Sequence, residues 1–145
     1  MRLDPETVAR FRRAIARISR LLNEAATAEG LTPTQASVLG IVQTRRTIGV
    51  GELAEIEALN PTMVSRMIGK LDTEGYLRRT QGAADQRTAS VEITALGEET
   101  IERVRSRRAE MVSALLESLD DGVAESVVSA LPALEALAGA SVQKR

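Results

Sequence analysis

Between Tyr76 and Thr94 the hydrophobic period of this chain changes, and the change constrains the fold more than any other feature. "YLRRT" reads as a strand, "QGAADQ" as a turn of small and polar residues, and "TASVEIT" alternates Ala89, Val91 and Ile93 against Ser90 and Glu92. Two strands around such a turn make a β-hairpin. The segments on either side follow helical spacing instead. The expected order is helix, helix, short helix, helix, hairpin, long helix, helix, with no internal repeat and no low-complexity linker. The fold class is mainly α with a small β-hairpin.

The helices are legible from their stripes and starts. Val8, Phe11, Ile15, Ile18, Leu22 and Ala25 recur in steps of three and four, a heptad-like stripe suited to packing along another helix. Gly30 closes this segment. Thr32, Pro33 and Gln35 then give an N-cap, a first-turn proline and a capping-box spacing, ahead of Ala36, Leu39, Ile41 and Val42. Residues 46–50, "RTIGV", read as an extended connection, and "GELAEIEAL" as a brief helix with Leu53, Ala54 and Ile56 inward. Asn60-Pro61 repeats the cap-plus-proline start, and Gly75 ends that helix in a left-handed conformation. After the hairpin Thr94 caps a long charged rod carrying Ile101, Val104, Met111, Val112, Leu115 and Leu119, which ends near Asp120. A last apolar helix holds Val123, Val127, Leu131, Leu134 and Leu137. Pro132 inside that pattern marks a kink or a fresh start. The tail "SVQKR" is expected to fray.

Composition removes most chemistry. The 145 residues contain no Cys and no His, so disulfides, thiol redox sensing and thiolate or imidazole metal ligation are excluded. Serine and thiol hydrolases lose their usual participants. The adjacent pairs Glu98-Glu99 and Asp120-Asp121 point to different sides of a helix, so they read as solvated charges and not as a catalytic couple. No enzyme, cofactor or metal site is expected. No stretch approaches a membrane span of ~18 apolar residues. The N-terminus lacks the apolar run of a secretory signal, and a cytoplasmic location is the default. Net charge is −1; residues 60–94 hold five cations against four acids, and residues 95–145 six against nine. The positions of the arginines, and not their excess, must therefore carry any argument for nucleic acid.

Those positions are suggestive on the segment 60–71. Val64, Met67, Ile68 and Leu71 form one side; Thr62, Ser65, Arg66, Gly69 and Lys70 form the other. A short helix, a tight turn and a second helix starting at Asn60-Pro61 fit a helix-turn-helix, whose second helix enters the major groove of DNA. Thr62, Ser65 and Gly69 are slim enough to let the backbone approach. Arg66 has the reach to fork onto a guanine edge, and Lys70 suits phosphate. Free amides at the helix start suit phosphate too. In the hairpin, Arg87 follows the turn where a side chain reaches a narrow minor groove, and Asp85 is placed to hold its guanidinium. Alternation sets only one of Arg78 and Arg79 toward DNA without deciding which; Arg79 is carried as the candidate. A helix-turn-helix followed directly by a hairpin is a winged helix.

"DQRTASVEITALG" resembles the wing signature of the multiple-antibiotic-resistance regulator (MarR) family, through Asp85, Arg87, Val91, Ile93, Thr94 and Gly97. "LTPTQASVLGIV", "GELAEI" and "GKLDTEGYLRR" are similar to the family's upstream segments in order and separation. Ile93 stands where leucine is usual. The resemblance implies a single domain over 1–145, with a winged-helix DNA-binding lobe at 32–97 and dimerisation helices at 1–30 and 98–145. It also implies a homodimer that binds an inverted-repeat operator on double-stranded DNA and represses nearby genes. In that family a small acidic or phenolic ligand often lowers DNA affinity. The dimer-forming residues would be Val8, Phe11, Ile15, Ile18, Leu115, Leu119, Val127, Leu131 and Leu134. Two observations independent of the resemblance favour a dimer: a lone winged helix does not need three long extra helices, and one recognition helix contacts only a few base pairs. The alternative is a winged-helix protein-interaction module without specific DNA binding, since fold does not fix function.

Overall fold

Helix starts that pair a capping side chain with a proline form where the sequence places them. The structure, a computed structural model, describes residues 1–81 and 89–140. Helix α1 spans Pro5–Ala28, and the Asp4 carboxylate accepts from the Thr7 amide at 2.9 Å and from the Thr7 hydroxyl. These bonds, the hydroxyl's first, hold the Asp4 carboxyl below its ordinary pKa. Helix α2, Pro33–Arg45, opens on a complete capping box. The Gln35 amide donates to the Thr32 hydroxyl at 3.1 Å, and the Thr32 amide donates to the Gln35 side chain at 2.9 Å.

Strand β1, Thr47–Gly49, leads into α3, Val50–Glu57; α4 follows at Pro61–Thr73. Strands β2, Leu77–Gln81, and β3, Ala89–Ile93, precede α5, Ala95–Glu117. Helices α6, Asp121–Ser129, and α7, Leu131–Gly139, complete the described chain. The sheet is antiparallel in the order β1-β3-β2, with Ile48 opposite Val91 and Leu77 opposite Ile93. The expected connection at 46–50 is thus partly a strand. Three residues are too few to show alternation, and only Ile48 reaches the core. β3 is flanked on both sides, so Val91 is fully buried while its four strand neighbours are half-buried and not cleanly alternating.

The core lies among α2, α3, α4, the sheet and the first turns of α5. Val38, Leu39, Val42, Leu53, Val64, Ile68, Leu71, Val91 and Val104 have no exposed surface. At ~1.5–3 kcal/mol for each such side chain, this cluster supplies most of the drive to fold. Ile56, expected inward, is 45 % exposed. Helix α3 ends one residue later, and its inward positions are Leu53 and Ala54.

Ala58 closes α3 at φ 52°, ψ 38°, and the Ala58 and Leu59 amides donate back to the last turn. A left-handed conformation costs a non-glycine residue ~1–2 kcal/mol. Ala58→Gly is therefore expected to raise the free energy of unfolding by about 0.5–1 kcal/mol, read as an upward shift of the urea midpoint at unchanged slope.

The chain divides into two compact units, Met1–Arg108 and Ala109–Arg145, with the boundary inside α5. Among the described residues none from 109 to 140 is buried, so the second unit has no core of its own. Its apolar helix is two helices: Pro132 stands in the first turn of α7, where its missing amide costs nothing, and α6 and α7 meet at a 43° bend. Among the described residues no single helix is long and apolar enough to cross a membrane.

Candidate nucleic-acid interface

Helix α4 is amphipathic in the way its sequence requires. Val64, Ile68 and Leu71 face the core; Pro61, Thr62, Met63, Arg66 and Lys70 are exposed, and Ser65 and Gly69 are half-exposed. The Asn60 side chain caps the helix, accepting from the Thr62 amide at 2.8 Å. Lys70 stands 4.0 Å from Glu74 in an exposed pair, too weak to immobilise it. The outward face forms one wall of an open groove also lined by Val50 and Arg79.

Gly69 is informative. A Cβ added there meets no atom within 4 Å, so packing does not demand glycine. Glycine in an exposed helix interior costs ~1 kcal/mol relative to alanine. The helix gives up stability and gains a low surface at the middle of its outward face.

Arg79 joins this surface from β2. Its Nη2 donates to the Ser65 carbonyl at 2.7 Å and to the Ser65 hydroxyl at 3.0 Å. Of the two arginines that alternation leaves undecided, Arg79 is thus the one on the α4 side. It braces the root of the hairpin against the middle of the helix. Across the hairpin, the hydroxyls of Thr80 and Ser90 bond at 2.9 Å. Asp85 and Arg87 lie outside the described residues.

The structure brings Asn60, Pro61, Thr62, Ser65, Arg66, Lys70 and Arg79 onto one surface. It adds Met63, 58 % exposed beside Thr62, which a reading by polarity passes over as an apolar residue. The signal is present in the spacing: Met63, Arg66 and Lys70 recur at three- and four-residue steps, opposite Val64, Ile68 and Leu71. A thioether there offers an apolar contact of the kind a thymine methyl accepts. Among the described residues no three acidic side chains are placed to hold a metal ion.

In the first unit, α1 exposes Val8, Phe11, Ile15 and Ile18 at 48–51 % of their surface. In the second unit Leu115, Leu119, Val127, Leu131 and Leu134 are exposed too. Soluble chains seldom leave such continuous stripes uncovered.

Residues 31–89 match the model of the MarR family. The HTH-type transcriptional repressor MdtR of Bacillus subtilis (strain 168) is 27 % identical over 93 residues, 64 % of this chain and 60 % of that protein. An HTH-type transcriptional regulator of Bacillus cereus is 34 % identical over 85 residues, 59 % of this chain and 56 % of that one. The chain therefore spans less than two thirds of the length of either relative. Among solved structures, a mutant of MepR from S. aureus, bound to an oligodeoxyribonucleotide, superposes with a TM-score of 0.70. That match has 18 % identity and covers 93 % of this chain and 98 % of that one. The winged-helix frame, its slim-faced α4 and the match on residues 31–89 make this chain similar to the MarR family over that segment.

Proposed function

We propose that the protein is a homodimeric, sequence-specific DNA-binding regulator that represses transcription from an inverted-repeat operator. The observation that carries this reading is the outward face of α4, low at Gly69 and ringed by Thr62, Met63, Ser65 and Arg66, with Arg79 bracing the hairpin beside it. In use, α4 lies in the major groove, where Arg66 donates in a fork to a guanine edge and Lys70 neutralises phosphate. The wing reaches the adjacent minor groove with Arg87, and Asp85 orients it. The repressor and regulator names of the two bacterial relatives, and the DNA-bound MepR mutant, support the same reading. A small acidic or phenolic effector is the ligand class that the resemblance to the MarR family favours.

The test is binding to a duplex selected by the protein from a random pool, followed by fluorescence anisotropy at fixed salt. Arg66→Ala is expected to weaken the selected duplex by ~1–3 kcal/mol while leaving random DNA nearly unchanged. Equal losses on both duplexes would make Arg66 a phosphate contact. Arg87→Ala is expected to weaken binding without lowering stability, and an unchanged dissociation constant would remove the wing from the interface. Failure to enrich any sequence, with no salt-dependent retention on a DNA column, would leave the protein-interaction module as the reading.

A further inference from the structure

Helix α1 is held to the rest of its unit at one end only. From Pro5 to Arg20 every residue except Ala9 is exposed, and sustained burial begins at Leu21. The apolar hold beyond that point is slight: Ala25 and Ala26 are buried but each offers a single methyl group, and Leu21 and Leu22 are half-buried. Polar bonds add to it. Glu29, the C-cap of α1, has a side chain only 13 % exposed, and both of its carboxylate oxygens meet arginines of α5. Arg103 Nε donates to Oε2 at 3.1 Å, and Arg107 Nε stands 3.5 Å from Oε1. Arg108 Nε donates to the Leu22 carbonyl at 3.4 Å.

An acid at the C-terminus of a helix opposes the helix dipole, so α1 by itself gains nothing from Glu29 there. Arg103 and Arg107 lie one turn apart on the same side of α5 and converge on that one carboxylate. The connection continues into the winged-helix lobe. Arg103 Nη2 donates to the buried Thr100 hydroxyl at 3.2 Å, and that hydroxyl donates to the Leu96 carbonyl at 2.7 Å, in the first turn of α5. Glu29 therefore joins the helix with the exposed apolar stripe to the helix that roots the hairpin.

We propose that Glu29 is a positioning residue for operator spacing. The inference rests on the dimer proposed above, with Phe11 and Ile15 in its seam, and names the joint that fixes each α4 relative to that seam. From Phe11 to Ala25 is ~21 Å of helix, so a tilt of ~9° at the anchor displaces the lobe by ~3.3 Å, about the rise of one base pair. Two half-sites are read together only if the two α4 helices keep their separation to within such a step. A carboxylate held through both oxygens by arginines one turn apart resists tilting in a way that two alanine methyl groups do not.

The experiment is fluorescence anisotropy of the whole chain against the selected operator, against versions with the half-sites moved by one or two base pairs, and against a single half-site. The wild type is expected to lose ~10²-fold in affinity on the larger shift, as bivalent contact fails. Glu29→Gln keeps the shape of the side chain and removes its charge, and circular dichroism checks that the variant is folded at the assay temperature. It is expected to reduce that spacing preference to ~10-fold or less while binding the single half-site as the wild type does. Glu29→Arg combined with Arg103→Glu exchanges the signs of the pair and is expected to restore the preference. A folded Glu29→Gln with undiminished spacing preference overturns the proposal and leaves the dimer standing. Equal losses on the half-site and the operator overturn it as well, making Glu29 a stabiliser of the lobe alone. A wild type that binds the operator no more tightly than a half-site overturns the dimer reading, and this inference with it.

Discussion

Gly97→Ala is expected to destabilise the protein by about 3 kcal/mol, at the upper end of what overpacking costs. A Cβ at this position runs into the backbone carbonyl oxygen of Tyr76 and comes within 2.8 Å of the Ile93 Cγ1 atom. The carbonyl cannot step aside, because it already accepts from the Thr94 amide at 3.1 Å and from the Thr94 hydroxyl at 3.0 Å. Thr94 is held in turn: its hydroxyl donates to the Gly75 carbonyl as well and accepts from the Gly97 amide at 3.1 Å. One threonine thus ties the end of α4, the start of β2 and the first turn of α5, and one glycine lets those backbones touch. Lengthening the side chain forces β2 and α5 apart at the root of the wing. Chemical denaturation measures the loss directly, against a total stability of ~5–15 kcal/mol for a domain of this kind. A loss below about 1 kcal/mol would show that the junction relaxes around the methyl group. Because the same junction aims the hairpin, the variant is also expected to bind its operator more weakly at temperatures where it remains folded.

That junction shows what the sequence carries and what it leaves out. Ile93, Thr94 and Gly97 are visible as a motif, yet nothing in their spacing names Tyr76 as the group they enclose, some twenty residues away. Local grammar is readable: the caps at Asp4, Thr32 and Asn60 bond where a side-chain oxygen and a following proline put them. The buried side of α4 is readable too, because Val64, Ile68 and Leu71 repeat at helical steps. Failures come where an element is too short or its signal too local. β1 offers three residues, and its identity depends on pairing with β3, more than forty residues later. Ile56 reads as inward because it is apolar, but the helix ends before its face can turn to the core. Met63 escapes for the converse reason, an apolar residue on a face judged by polarity alone. The choice between Arg78 and Arg79 needs the tertiary contact with Ser65, which no alternation encodes.

Phe11→Glu combined with Ile15→Glu is expected to cost operator affinity on the order of 10³-fold or more, the gap between specific and non-specific binding. Both side chains are about half exposed on α1 and lie outside the buried core, so their replacement is expected to leave the winged helix folded. In the proposed dimer they are buried by the partner copy, where each contributes ~1.5–3 kcal/mol and a glutamate would be left unpaired in an apolar seam. The loss reaches DNA through geometry. One α4 meets only a few base pairs, and selectivity comes from two half-sites about one helical turn apart being read by one rigid dimer. A monomer keeps Arg66, Lys70 and Arg79 but binds the halves independently, so its preference for the selected duplex over random DNA collapses toward that of a single half-site. Light scattering reports the mass and anisotropy the affinity, on the same sample and at the same salt. A double variant that runs as a monomer and still binds the full operator as tightly as the wild type would uncouple the stripe on α1 from DNA recognition. One that remains a dimer would move the interface elsewhere. The expected result, monomer and weak binding together with an unchanged unfolding midpoint for the lobe, is the combination a merely structural role for Phe11 and Ile15 does not produce.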